Sequence, residues 1–244
     1  MREVRVITFN AAAGNPRITA PQESYLELPF YREALDGGPD APLLALQEVG
    51  GAQARALKRA AGPFSLLQMR RPGLGNALVI PARYEVLSRR RGFYLLAQLR
   101  GIVTALRHGR RNWRQYGELR MWIEARLRDR ETGRELTLLT THVSADGDMK
   151  VPQAGAIVRR ALAAAARGPV ILAGDFNVPA GRERGRDVEA AAILARLRDM
   201  GTSAPPEGED IDYVLAAGFE PVSTRFHKTP SDHYAEDDVL RYGA

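Results

Sequence analysis

Residues 170–179 read VILAGDFNVP, and this stretch decides the fold class. The run VILAG at residues 170–174 is continuously apolar, which predicts a strand that is buried on both faces. Asp175 and Asn177 follow it directly. Two polar side chains suited to metal binding or acid–base chemistry therefore stand at the carboxyl end of a rigid strand.

Similar apolar stretches occur along the whole chain. They predict further strands over residues 3–9, 43–47, 76–80, 119–127, 136–141 and 211–215. Together with residues 170–174, these stretches suffice for a substantial sheet system.

Apolar residues at helical spacing lie between the predicted strands. They predict helices over residues 151–167, from Asp187 to Gly201, and over about 52–61. Residues 21–36 are predicted to be helical in part, because Pro29 interrupts their pattern.

Polar side chains with metal or acid–base potential recur where the predicted strands end. Each alone has an ordinary explanation as a turn former, a helix cap or a strand-edge charge. Several acids at apolar strand ends, however, cost desolvation free energy unless a cation pairs with them. Magnesium prefers such oxygen ligands, and Glu48 and Asp232 are the best candidates. In chain order the set is Asn10, Glu48, His142, Asp175, Asn177, Asp212, Asp232 and His233.

The chain is basic, with 35 lysines and arginines against 29 aspartates and glutamates, a net charge of +6 and a pI near 9.9. This charge favours a polyanion such as nucleic acid or an anionic lipid surface. Because nearly all of the basic residues are arginines, the composition also fits a GC-rich genome. Two long loops are predicted, over residues 100–118 and 202–210. The first is expected to contact nucleic acid through Arg107, Arg110, Arg111 and Arg114, with Trp113 and Tyr116 between them.

The sequence excludes several classes of protein. It has no cysteine, so disulfides, thiol catalysis and thiolate zinc sites are ruled out. It shows no signal-peptide pattern and no apolar run of about 18 residues that could cross a bilayer. No repeat or long linker divides it. We therefore expect one domain over residues 1–244, a cytoplasmic location, no transmembrane segment, no obligate protein partner and a monomeric state.

Seven motifs, taken in order, resemble the signatures of the endonuclease/exonuclease/phosphatase superfamily of metal-dependent phosphoesterases. They are VITFN (6–10), LQEV (46–49), GNALVI (75–80), TTHVS (140–144), GDFNVP (174–179), IDYVL (211–215) and SDH (231–233). The resemblance covers residues 6–233. It implies a four-layer α/β sandwich, in which two mostly antiparallel sheets pack face to face with helices outside. It also implies a site at one edge of the sandwich.

The resemblance further implies a metal site and a group that activates water. Glu48 resembles the main ligand for Mg²⁺ or Mn²⁺, with Asp232 and Asn10 assisting around the metal and the phosphate. Asp175 and Asn177 would orient or deprotonate the attacking water and hold the phosphoryl oxygens.

The remaining residues would act on the phosphate, again by resemblance. His233, paired with Asp212, would stabilise charge on phosphorus as an imidazolium. His142 resembles a proton donor or phosphate ligand of the family, and Arg120 a phosphate-contacting arginine.

Three functions stay open at this point. The first is a nuclease that cleaves phosphodiester bonds of nucleic acid. The second is a phosphatase, or a phospholipid or inositol-phosphate phosphoesterase, of the same superfamily. The third is a non-catalytic binding protein on this fold. Gly50-Gly51 and residues 11–13, which are all alanine, depart from the abasic-site repair and secreted deoxyribonuclease branches.

Overall fold

Two six-stranded sheets pack face to face. The computed structural model describes residues 3–12, 22–60, 62–70, 74–109, 119–179, 184–201 and 211–243. In chain order the strands are β1 (Glu3–Asn10), β2 (Leu43–Gln47), β3 (Phe64–Arg70), β4 (Gly75–Pro81), β5 (Tyr84–Phe93), β6 (Met121–Asp129), β7 (Glu135–His142), β8 (Val170–Asp175), β9 (Arg198–Asp199), β10 (Asp212–Ala217), β11 (Phe219–His227) and β12 (Ala235–Tyr242).

The strand order is β11-β12-β1-β2-β4-β3 in the first sheet and β5-β6-β7-β8-β10-β9 in the second. Among the described strands, only the pairs β1–β2 and β7–β8 are parallel, so both sheets are mostly antiparallel.

Helices cover the outer face of each sheet, which confirms the predicted four-layer α/β sandwich. A short 3₁₀ helix (Gln22–Glu27) and the first two α-helices pack on the first sheet, and the other three pack on the second. No helix in the described part of the chain is long and apolar enough to cross a membrane. The α-helices are α1 (Pro29–Asp36), α2 (Gly51–Arg59), α3 (Leu95–Arg107), α4 (Gly147–Ala165) and α5 (Arg186–Leu194).

Strand β8 shows why the central strands are continuously apolar. Ile171 and Ala173 point into the core between the sheets, whereas Val170 and Leu172 pack under the helices on the outer face. Both faces of the strand are therefore buried, and its carboxyl end holds Asp175 in a fixed place.

All seven predicted strands are present, and five strands that the sequence pattern did not reveal extend the sheets. Strand β5 was hidden by the run Arg89-Arg90-Arg91, which an apolar pattern cannot detect. It lies at the edge of its sheet, so these side chains are exposed. Strand β12 was hidden by three consecutive acids at residues 236–238. The strands not predicted are β3, β5, β9, β11 and β12.

The predicted loop over residues 100–118 is wrong in its first part, because residues 100–107 belong to α3. Ala97, Gly101 and Ala105 recur every four residues and face α4, while the helix exposes several leucines to solvent. A Cβ atom at Gly101 would lie 2.6 Å from Met149 Sδ, so the two helices approach closely at this glycine. Small residues therefore form the packed face of this helix.

Other helix boundaries also differ from expectation. The helix predicted over residues 151–167 begins earlier, at Gly147, where the Asp146 side chain caps it, and it ends at Ala165. The helix predicted from Asp187 to Gly201 ends at Leu194, because Arg198–Asp199 pair with β10 as a strand. Pro29 does not interrupt a helix but begins α1, where a missing amide donor costs nothing.

Three buried amide side chains of the first sheet reach across to the second sheet near one edge of the sandwich. Gln47 and Asn76 come from strands that are otherwise apolar. The hydrogen bonds join Asn10 to Asp175 Oδ2 (2.8 Å), Gln47 to Thr140 Oγ1 (3.0 Å) and Asn76 to the Met121 carbonyl (3.1 Å).

Replacing Gln47 with leucine keeps the side-chain volume but removes the bond to Thr140. We expect the free energy of unfolding to fall by about 1–3 kcal/mol, because the Thr140 hydroxyl loses a buried partner. Equilibrium urea unfolding measures the change. The control Ser65→Ala, at an exposed position of β3, should stay within about 0.5 kcal/mol of the original protein. An unchanged stability for Gln47→Leu would contradict this role.

Asp237 should make the free energy of unfolding depend on pH in the acidic range. Burial raises the pKa of Asp237, but hydrogen bonds from His227 and Arg5 outweigh it and lower the pKa below its usual range. The Asp237 charge therefore stabilises the fold above the unfolded-state pKa of about 3.9, and this contribution is lost as pH falls through the lower folded-state pKa. Asp237→Asn should be less stable than the original protein at neutral pH. Urea unfolding over a pH series measures the difference in free energy of unfolding between Asp237→Asn and the original protein. A difference that did not shrink toward strong acid would refute this role of the Asp237 charge.

Candidate active site

The strand ends that carry the predicted site residues meet at one edge of the sandwich. Parallel pairing of β7 with β8 sets His142 beside Asp175. Antiparallel pairing of β10 with β8 sets Asp212 on the other side of Asp175. Asn10, at the end of β1, reaches Asp175 from the opposite sheet. Both sheets therefore contribute to one site.

Asp175 is the centre of this site and is almost completely buried. Its Oδ2 accepts a 2.8 Å hydrogen bond from Asn10 Nδ2, and its Oδ1 accepts one of 2.8 Å from the Asn177 N–H. Burial raises the pKa of Asp175, and the charge of Asp212 raises it further. His233, Asn10 and Asn177 offset only part of this rise. The carboxyl group therefore binds a proton more readily than an ordinary aspartate.

His233 and Asp212 form an ion pair next to Asp175. His233 Nδ1 lies 2.7 Å from Asp212 Oδ2, and His233 Nε2 lies 3.9 Å from Asp232 Oδ1. Burial alone lowers the pKa of His233, but the hydrogen bond with Asp212 and the charges of the three aspartates raise it to about 9. The imidazole is thus positively charged at neutral pH. Ligand atoms of Asp175, Asp212 and His233 all lie within 4.8 Å of one another.

A second group, formed by Glu48, Arg120 and His142, also adjoins Asp175. His142 Nε2 is 3.3 Å from Asp175 Oδ2, and His142 Nδ1 is 3.6 Å from Glu48 Oε1. Arg120 Nη1 lies 2.8 Å from His142 Nδ1 and 4.0 Å from Glu48 Oε1. Asn177 Nδ2 lies 3.2 Å from His142 Nε2. These contacts connect the two groups through Asp175.

The second group borders a small cavity, which we call the edge cavity. It is lined by Glu48, Leu74, Gly75, Asn76, Leu119, Arg120, Met121 and His142.

The backbone is strained at three residues of this edge. Ala12, Glu48 and Asn177 have φ angles of 45°, 49° and 52°, in the left-handed region, and they are the non-glycine residues with positive φ in the described part of the chain. Such conformations cost on the order of 1–3 kcal/mol each and concentrate at functional sites. At Asn177 the strain is offset by bonds to Asp175 and to the Val143 carbonyl.

Sequence analysis missed two side chains that position the site. Ser231 Oγ donates a 2.8 Å hydrogen bond to the Asn10 carbonyl and so joins the SDH turn to the end of β1. Its place in that motif was the available signal. Lys150 is buried and contacts the Asn177 carbonyl and the Asp187 carboxylate. Nothing in its sequence context indicated this role.

The predicted nucleic-acid contacts are only partly covered by the structure. Arg107 is exposed on the last turn of α3. Arg110, Arg111 and Arg114 lie outside the described residues, as does the predicted loop over residues 202–210.

The donors at this edge fit a hard divalent cation. They are carboxylates, an amide and imidazoles, and the chain has no cysteine. Oδ1 of Asp212 is buried and has no hydrogen-bond partner among the described residues. A cation, or a water bound to one, relieves such a situation.

Comparisons with known proteins agree with this architecture. The model of the Endonuclease/Exonuclease/phosphatase family matches residues 7–233, whereas no curated protein matches. One similar structure is an endonuclease/exonuclease/phosphatase from Bacteroides vulgatus, at 18% identity, TM-score 0.73 and 100% coverage of both chains.

Two further similar structures carry more specific descriptions. D. rerio TDP2 complexed with single strand DNA product has 16% identity and TM-score 0.70, covering 98% of this chain and 99% of that one. The mannosyl-6-phosphatase of Bacteroides thetaiotaomicron has 15% identity and TM-score 0.66, covering 98% and 100%. At these identities the likeness concerns the fold alone. Because the family model spans nearly the whole chain, including every strand end that builds the site, the protein belongs to the endonuclease/exonuclease/phosphatase family.

Proposed function

We propose that this protein is a divalent-metal-dependent phosphodiesterase that cleaves nucleic acid. The observation that carries the proposal is the buried Asp175, which lies between the charged His233–Asp212 pair and the group around His142. A carboxyl group with a raised pKa beside cationic side chains suits the activation of water next to an anionic phosphate.

In this proposal Asp175 accepts the proton of the attacking water. Asn10 and the Asn177 N–H hold its carboxylate in place, since each bonds a different oxygen. In-line attack adds negative charge to the non-bridging phosphate oxygens. His233, kept protonated by Asp212, stabilises that charge.

The other group acts on the same phosphate. Arg120 binds a phosphate oxygen, and His142 binds phosphate or protonates the leaving oxygen. Glu48, with Asp232 and Asn10 assisting, would hold Mg²⁺ or Mn²⁺. When bound, the ion supplies Lewis-acid stabilisation of the phosphate.

Nucleic acid is the proposed substrate because the chain is strongly basic, with a net charge of +6. The similarity in fold to TDP2, whose structure contains a single strand DNA product, supports this choice. A phosphomonoester is the second candidate, since the fold is also that of a mannosyl-6-phosphatase. A purely non-catalytic role is disfavoured, because a binding protein gains nothing from this buried network. The cytoplasmic location and the monomeric state stay predictions.

Turnover should require a divalent cation. We expect hydrolysis of bis(p-nitrophenyl) phosphate with Mg²⁺ or Mn²⁺ and its loss in excess EDTA, because the donors present are oxygen and imidazole. The same assay on single- and double-stranded DNA, RNA and phosphomonoesters separates the two candidate substrates. Full activity in EDTA would refute the metal requirement, and hydrolysis of monoesters alone would favour the phosphatase.

Changing the site residues should remove activity without unfolding the protein. We expect Glu48→Gln, Asp175→Asn and His233→Ala each to lower turnover by at least about 10²-fold, because each removes a contact that acts in the transition state. Circular dichroism checks the fold, and Asp36→Asn, at an exposed position on α1, serves as the control. Unchanged turnover in all three variants would show that this is not the active site.

A further inference from the structure

A groove of about 730 Å³ lies along the side of the sandwich. It runs between β3, the last strand of the first sheet, and β5, the last strand of the second. Helix α2 and the segment after it form the rest of its wall. We call it the side groove, and its lining includes Lys58, Phe64, Leu66, Leu67, Gln68, Arg89, Arg90, Arg91 and Ile123.

The groove exists because β5 extends past the edge of the facing sheet. Arg89 and Arg91 are in register with Ala125 and Ile123, whose side chains lie in the core between the sheets. Paired residues of antiparallel strands share a face. The two arginines therefore point to the side of the core, yet both are exposed, because no strand of the first sheet covers this part of β5.

The charged side chains described in the side groove are all positive. Among the described residues, Lys58, Arg89, Arg90 and Arg91 line it and no acidic residue does. In the described part of the chain none of these four cations forms a salt bridge, although Arg91 donates a 2.7 Å hydrogen bond to the Gln68 carbonyl across the groove. Four cations without counter-charges favour an anionic ligand.

The floor of the groove is apolar. Phe64, Leu66 and Leu67 of β3 line it, together with Ile123 of β6. A cationic rim over an apolar floor suits a chain with phosphates on one side and flat aromatic faces on the other. A duplex hides its base faces, whereas a single strand exposes them.

The side groove and the edge cavity lie next to each other along both sheets. Ile123 lines the groove, and Met121, two residues earlier on β6, lines the cavity. On the first sheet Gln68 lines the groove, and Arg70, two residues later, pairs with Gly75 of the cavity. Two residues of a strand span about 7 Å, which is close to one step of an extended nucleic-acid backbone.

We propose that the side groove binds the single-stranded part of a nucleic-acid substrate that leads away from the cleaved phosphate. Arg89 and Lys58, which line the groove from its two walls, contact backbone phosphates, and the apolar floor receives the bases. The proposal rests on the proposed function, and it adds where the substrate chain lies and that it is unpaired there.

The test uses Lys58→Ala/Arg89→Ala, since both side chains line the groove, both are exposed, and neither forms a salt bridge among the described residues. The matched control, Arg196→Ala/Arg225→Ala, removes the same charge from exposed positions near the opposite edges of the two sheets. Fluorescence anisotropy with a labelled oligothymidylate, in an Asp175→Asn background so that nothing is cleaved, gives affinity as a function of salt.

We expect the groove variant to bind the oligothymidylate several-fold more weakly, with a slope of log affinity against log salt smaller by about 1.4, since each lost phosphate contact on a single strand removes about 0.7. The slope for the control variant should differ from the slope for the original protein by less than about half of the 0.7 that one phosphate contact contributes. With active protein, the KM for the long oligonucleotide should rise, while hydrolysis of a dinucleotide and of bis(p-nitrophenyl) phosphate stays unchanged.

Two results would overturn the proposal, and they are distinguishable. If the groove variant and the control show the same slope and KM while the oligonucleotide is still cleaved, the groove does not hold the strand and the proposed function stands. If the unsubstituted protein neither binds nor cleaves nucleic acid, yet hydrolyses small esters, then both the groove assignment and the nucleic-acid substrate are wrong.

Discussion

The hydrogen bond between Asn10 and Asp175 is the interaction on which the site depends, because it joins the two sheets at the point where chemistry would occur. Gln47 on β2 and Asn76 on β4 donate similar amide hydrogen bonds from the first sheet to the second. Apolar packing between sheets is not directional, so it cannot by itself determine how the two sheet edges are aligned. Amide hydrogen bonds have strict geometry and supply that alignment.

Burial at this edge also determines the electrostatics of the site. Asp175 and Asp212 are adjacent carboxylates in a place with little water, which is unfavourable unless a cation or a proton accompanies them. His233 supplies one positive charge, and Arg120 lies near the other end of the network. The same desolvation that costs stability raises the pKa of Asp175 and makes it a stronger base. It acts against the charge on His233, which the hydrogen bond with Asp212 and the neighbouring aspartates maintain. The arrangement of these residues therefore lowers the free energy of unfolding while it favours chemistry at the site. The strained backbone of Glu48 and Asn177 is a second example of the same trade-off.

Much of the fold was predictable from sequence, and so were most of the polar residues that meet at this edge of the sandwich. Strand β8 is apolar because both of its faces are buried, and Asp175 is conspicuous because it interrupts that pattern. The rest was hidden for physical reasons. Arg89 occupies a core-side position of β5 that no strand covers, and Asp237 is paired with Arg5, so both break a hydrophobic pattern while still belonging to strands. Contacts such as Ser231 with Asn10 depend on distant parts of the chain meeting, which local pattern does not encode.

The pairing of β1 with β12 brings strands from opposite ends of the described chain side by side in the centre of the first sheet. During synthesis on the ribosome, β1 emerges first and must wait for β12 before that sheet can close. His233, just before β12, reaches Asp212 only when this late segment has docked. A nascent or truncated chain therefore lacks the completed site, and the proposed phosphodiesterase would stay inactive beside the messenger RNA from which it is being translated.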